Sequence, residues 1–157
     1  MTPFAHLIEE FATATGLALA LDAQDSCTLS TDRVSVTIQY RHDRDEVVLF
    51  APVAESDAED GAFPAAVLAK ALSLAHDGGG TGGAFLGLVQ NALVLTLRLP
   101  FEGLDADTLG VRLAAFADVA EGVAAELEAA GGASGAVFDG VQPPPDTLQD
   151  GFSRIEP

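Results

Sequence analysis

Three histidines and one cysteine are the side chains best suited to chemistry in this chain: His6, His42, His76 and Cys27. Imidazoles and thiolates bind metal or move protons when several of them meet at ligand spacing. Here the histidines fall on a helix pattern, a polar turn and a helix end. None has a His or Cys partner at metal-ligand spacing, and each reads as a solvated or helix-terminal imidazole. Cys27 lies in a strand pattern and reads as a small buried residue. As a nucleophile it would need a base that the sequence does not identify. Gly78, Gly80 and Gly83 satisfy G-x-G-x-x-G, but they follow a helix and enter a strand. A dinucleotide fingerprint does the reverse, and no Lys-Ser/Thr follows to make a phosphate loop. Asp57, Glu59 and Asp60 lack the alternate spacing of a calcium loop. The 24 carboxylates guarantee some close pairs, but an excess of acid points to solubility before acid–base catalysis. The expectation is therefore no enzyme, no metal and no cofactor.

The elements around these residues have clear periods. Phe4, Leu7, Ile8 and Phe11 form one apolar helical stripe, with Thr2 as cap, Pro3 at the first position and Gly16 as stop. A β region follows. It begins with the apolar residues 17–21 and a turn at 22–25, and continues with a short strand at Cys27-Thr28-Leu29-Ser30. Val34, Val36, Ile38 and Tyr40 alternate with polar residues, the period of a strand with one apolar face. After a polar turn, residues 47–51 make a third strand, ended by Pro52. Pro64 opens a second helix, reaching about His76, with Val67, Leu68, Ala71 and Leu72 as its apolar positions. Residues 84–89 and 92–99 read as two strands joined at Gln90-Asn91. Asp105 caps a last helix whose stripe is Leu109, Leu113, Phe116, Ala120, Val123 and Leu127. The order α-β-β-β-α-β-β-α predicts an α+β fold: a twisted antiparallel five-stranded sheet with helices packed on it. Composition changes at Gly131-Gly132. Residues 1–130 are expected to form one domain, and 131–157, rich in Gly and Pro, a flexible tail.

Composition narrows the partners. Seven basic against 24 acidic residues give a net charge of −17, which repels nucleic-acid backbones and anionic membranes. No Lys or Arg precedes Arg33, so the opening lacks a secretory signal pattern, and the expected location is the cytoplasm. The uncharged run 78–97 is too rich in glycine and polar residues to insert into a membrane. Yet hydrophobic residues make up 48% of the chain. Phe85, Leu86, Leu88, Val89, Val94 and Leu95 occupy both faces of one hairpin. A second apolar face calls for cover by a twin subunit or a partner chain, unless it lies inside the core.

These features together resemble the Tir-chaperone (CesT-like) family of type III secretion chaperones, over about residues 3–130. The resemblance rests on the helix ending in Phe11-Ala12-Thr13-Ala14-Thr15-Gly16-Leu17, on Leu19, Leu21 and Asp22, and on the strand at Cys27-Thr28-Leu29. Residues 36–40, 49–53 and 81–88, then Leu93-Val94-Leu95 and Leu104-Asp105, continue it. The chain departs from the family in lacking Trp and in having Leu72-Ser73-Leu74-Ala75-His76 where Asn is common. The resemblance implies a cytoplasmic bacterial homodimer without enzymatic activity. Its partner would be the N-terminal segment of a secreted effector, held extended and export-competent. It assigns effector binding to Phe4, Leu7, Ile8, Leu29, Val36, Ile38 and Phe50, although Val36 and Ile38 read equally well as monomer core. It assigns the dimer interface to Val67, Leu68, Ala71, Leu72, Phe85, Leu86, Leu88 and Val94. The alternatives are a non-secretory adaptor or regulatory domain of the same fold, or a small ligand-binding protein.

Overall fold

The structure, a computed structural model, describes residues 1–136. Of the expected tail, 131–157, the residues from 137 onward lie outside them. The elements run α1 (Pro3–Thr15), β1 (Ser26–Ser30), β2 (Ser35–Arg41), β3 (Glu46–Glu55), α2 (Ala65–Ala75), β4 (Phe85–Val89), β5 (Ala92–Pro100) and α3 (Ala106–Ala136). The strands form one antiparallel sheet in the order β1-β2-β3-β5-β4. This is the α+β layout the periodicity predicts. Helix α3 carries its backbone past the composition break at Gly131.

Local signals fix the helix ends. Thr2 Oγ1 accepts from the Ala5 backbone N–H, and Gly16 closes α1 in the left-handed region at φ 74°. Asp105 Oδ1 accepts from the Thr108 N–H at 2.7 Å and starts α3. That bond holds the Asp105 carboxyl below the usual carboxylate range. Residues 17–21 form no strand, a departure from the apolar β reading. Leu19 and Leu21 pack against the core from irregular backbone, and the sheet ends at β1.

One sheet face carries the core. Cys27, Val36, Ile38, Val47, Leu49, Ala51, Leu93, Leu95 and Leu99 are buried on it. Against them lie Phe4, Leu7, Ile8 and Phe11 from α1, and the complete α3 stripe from Leu109 to Leu127. Helix α3 packs on β3, with α1 and α2 both packed against it. Phe11 meets Gly110 of α3, where an added Cβ would stand 3.4 Å from the ring. Phe4 stacks on Tyr40 at 5.3 Å between ring centres, and Phe101 meets both rings edge-on.

Candidate functional site

None of the residues equipped for chemistry converges with another of its kind. His6 pairs with Glu10 one helical turn on, at 3.3 Å. His42 Nε2 lies 2.6 Å from Asp25 Oδ2 and meets the Tyr40 ring edge-on. Tyr40 donates its hydroxyl to Asp45, and that bond is the main cause of its raised pKa. Cys27 is buried on β1. Burial, then the nearby Asp22 charge, push its thiol up to about 11, the opposite of an activated nucleophile. The glycine-rich segment 78–83 serves packing. Thr81 is buried and donates to the Ala84 carbonyl at 2.7 Å. Gly82 has φ 61°, and an added Cβ would stand 2.9 Å from Val119 Cγ2.

What the surface offers instead is apolar and lies at one edge of the sheet. Among the described residues strand β4 is an edge strand and pairs only with β5. Leu72 is 74% exposed, Phe85 66%, Leu88 59% and Val89 57%, with Leu68 beside them at 39%. The register puts Leu86 and Leu88 on the helix-bearing face, opposite Leu95 and Leu93. There they form, with Leu68, Ala71, Leu72 and Ala75 of α2, an apolar groove of about 260 Å³. Phe85 and Val94 fall on the other face, alongside Phe50 and Pro52. The Arg98 guanidinium lies 6.0 Å from the centre of the Phe85 ring. Of the residues expected at a dimer seam, Leu68, Leu72, Phe85 and Leu88 are thus exposed, while Leu86 and Val94 are half-buried. Val67 and Ala71 are buried in the core.

The residues expected to bind a client fare differently. Phe4, Leu7, Ile8, Val36 and Ile38 are all at least 96% buried in the core. They offer no surface in this structure, which places Val36 and Ile38 in the monomer core. Leu29 and Phe50 are half-buried, Leu29 on the helix-bearing face of β1 and Phe50 on the open face of β3. Sequence reasoning missed a larger groove of about 790 Å³ between the far half of β3, α2 and α3. Val53, Ala54, Phe63, Val67, Ala124 and Leu127 line it, with Arg33, Glu55, Asp57 and Glu128 at its rim. Pro52 was a signal for it. The β2–β3 pairing stops at Thr37↔Phe50, and the β3–β5 register shifts between Pro52 and Ala54. A proline removes a ladder donor, and the shift bends the strand beyond it.

A three-helix, five-stranded α+β unit with an apolar edge is a specific geometry, and the sequence model of the Tir chaperone protein (CesT) family matches it over residues 6–124. The chain belongs to this family. The HopA1–SchA chaperone–effector complex contains a similar fold. It is 19% identical, with TM-score 0.59, covering 77% of this chain and 92% of that one. The Yersinia pestis type III secretion chaperone SycH, solved with a stable fragment of YscM2, is 18% identical with TM-score 0.56. It covers 74% of this chain and 96% of its own. YbjN of E. coli, described as a candidate transcription regulator, is 18% identical with TM-score 0.56, covering 80% and 91%. At these identities the likeness to solved structures is one of fold. No curated protein matches by sequence. As a CesT-family chain, the molecule belongs among chaperones, whose work is binding. Its exposed leucines and phenylalanine are then the side chains to examine first.

Proposed function

We propose that this CesT-family chain is a type III secretion chaperone. It binds the N-terminal segment of a secreted effector and holds it extended and export-competent, by binding alone and without catalysis. The family match over residues 6–124 carries this reading. The surface supports it in physical terms. Strand β1 is an edge strand, so its outward backbone groups are open to an added strand whatever its sequence. Leu29 at that edge and Phe50 on the open sheet face are the accessible members of the expected effector-binding set. Phe4, Leu7, Ile8, Val36 and Ile38 support them from beneath.

The working unit in this proposal is a homodimer joined along α2 and β4. Leu68, Leu72, Leu86 and Leu88 meet their counterparts there, with Phe85 and Val94 on the far face of the same edge. A net charge of −17 keeps such an apolar dimer soluble and apart from nucleic acid. The cytoplasm is the place where an effector is met before export. No helix among the described residues is long and apolar enough to cross a membrane.

The test is capture of tagged protein from its native cells with secretion switched on, followed by limited proteolysis. The expected result is one larger protein protected only over a short N-terminal segment. A partner that stays folded, with no protected N-terminal segment, would establish the adaptor reading instead. The likeness to YbjN keeps that second reading in view, because the fold is not confined to secretion chaperones.

A further inference from the structure

The groove of about 790 Å³ beside the far half of β3 has the size of a cleft that holds a ligand. Its accessible apolar wall is Ala54, Phe63 and Ala124, each half-buried, over a floor of buried Val53, Val67 and Leu127. Backbone is on offer as well. The pairing of β2 with β3 ends at Thr37↔Phe50, while β3 runs on to Glu55. The β2 side of residues 53–55 therefore has no ladder partner among the described residues, and it is open to an extended segment added as a strand.

Two folded turns and a helix carry charge to the rim. In the β1–β2 turn Thr31 Oγ1 accepts from the N–H groups of Arg33 and Val34, at 3.3 and 3.1 Å, which holds Arg33 on one side of the groove. After β3, Ser56 donates its hydroxyl to the Ala62 carbonyl and closes a loop that keeps Asp57 and Phe63 beside Glu55. Helix α3 adds Glu128. All four rim charges are exposed, and none makes an ion pair with a described residue. Three carboxylates outnumber one guanidinium, in a chain whose net charge is −17. The rim therefore attracts a cation and repels a further acid. Arg33 repels that cation from its own side, which leaves Glu55, Asp57 and Glu128 to receive it.

We infer that this groove binds an extended segment of a partner protein in which apolar residues are flanked by lysine or arginine. The segment's backbone pairs with residues 53–55. An apolar side chain enters between Ala54, Phe63 and Ala124, and a basic side chain reaches Glu55, Asp57 or Glu128. The site shares no residue with strand β1 or with the groove at the α2–β4 edge. Its ligand chemistry does not depend on the partner being a secreted effector.

The test uses the full chain and a fluorescein-labelled synthetic peptide with the core Lys-Leu-Phe-Lys in a Gly-Ser frame, read by anisotropy. Two control peptides carry Glu for both lysines, or Ala for Leu and Phe. The lysine peptide is expected to bind about tenfold more tightly than either control, and its margin over the glutamate peptide should shrink at high salt. Equal binding, a preference for the glutamate peptide, or no binding would each overturn the inference. The place of binding is read with the photo-cross-linker p-benzoylphenylalanine at the Phe position of the peptide. Adducts are expected within residues 53–63 or 124–128, and adducts confined to other segments would overturn the inference. Charge reversal on the protein gives a third readout. Glu55→Lys with Glu128→Lys is expected to weaken the lysine peptide about tenfold and to tighten the glutamate peptide. Arg33→Glu is expected to tighten the lysine peptide about threefold. All three residues are exposed, so the variants should keep the parent's Tm. Unchanged affinities in these folded variants would overturn the inference.

Discussion

The two edges of the sheet are built to different standards. Near the β1 edge α1 reaches the inner face through the stack of Phe4 on Tyr40 of β2, and its Phe4, Leu7, Ile8 and Phe11 are all buried. The outer face there carries hydroxyls in register: Thr28 bonds Thr37 at 3.0 Å and Ser30 bonds Ser35 at 3.1 Å. At the β4 edge the inner face is covered only in part by α2, and Leu72 and Leu88 remain largely exposed. The outer face there carries Phe85 and Val89, also exposed. Polar pairs make the first edge tolerable to water, while contiguous exposed apolar side chains make the second a contact surface. The difference suits the two edges to the different contacts proposed for them. A backbone-dominated strand suits the first, and a matching apolar surface suits the second.

The largest expected effect tests where the core lies. Ile38→Ala at the fully buried β2 position should cost about 2–5 kcal/mol in denaturant unfolding. Thr37→Ala, one residue away on the open face, should cost about 1 kcal/mol or less. Equal costs would break the assignment of faces at the β1 end. Next comes the β4 edge. Leu68→Asp with Leu72→Asp should convert the proposed dimer to a folded monomer in sedimentation equilibrium, and should abolish any dependence of Tm on protein concentration. A stable dimer from the double variant would move the seam to another surface.

A subtler effect concerns Cys27 on β1. With its pKa near 11 and its side chain buried, it should react with a disulfide reagent at pH 8 only at the rate at which the fold opens. Fast labelling in native buffer would mean that the β1 edge opens readily. The smallest effect is at Asp105, which starts α3 near the α1 end. Its carboxyl pKa is lowered in the fold by the Thr108 N–H. The stabilisation it supplies is therefore complete above the unfolded carboxylate range and is lost as pH falls through the lower folded value. Asp105→Ala should lower Tm at neutral pH, and the gap should close in acid. A gap that persists at the lowest pH would mean that the ionised cap is not its source.

Much of this was legible in the residues. The stops at Gly16 and Pro100, the cap at Asp105 and the long α3 stripe are local signals, and α1, β5 and α3 follow them closely. Alternation at Val34, Val36, Ile38 and Tyr40 identifies a strand with an apolar face. It cannot say whether that face meets a helix or a client, because both are apolar to the side chain. Hence five of the seven expected binding residues lie in the core. The opposite case is the second helix. Val67, Leu68, Ala71 and Leu72 are one apolar run in sequence, yet Val67 and Ala71 point into the core while Leu68 and Leu72 face out. A rotation of 100° per residue separates them, and only the packing of α2 on α3 decides which pair is inside. Residues 17–21 are apolar enough for a strand, but a strand needs a neighbour in hydrogen-bonding reach, which composition does not report.

The contact of Phe11 with Gly110 has a consequence for synthesis. Helix α1 leaves the ribosome about a hundred residues ahead of the α3 segment on which it docks. Until that later segment emerges, the apolar stripe of α1 has no permanent cover. Such long-range closure slows folding and leaves a nascent chain exposed to other apolar surfaces. A protein of a chaperone family would thus spend its own early life in the condition of a client.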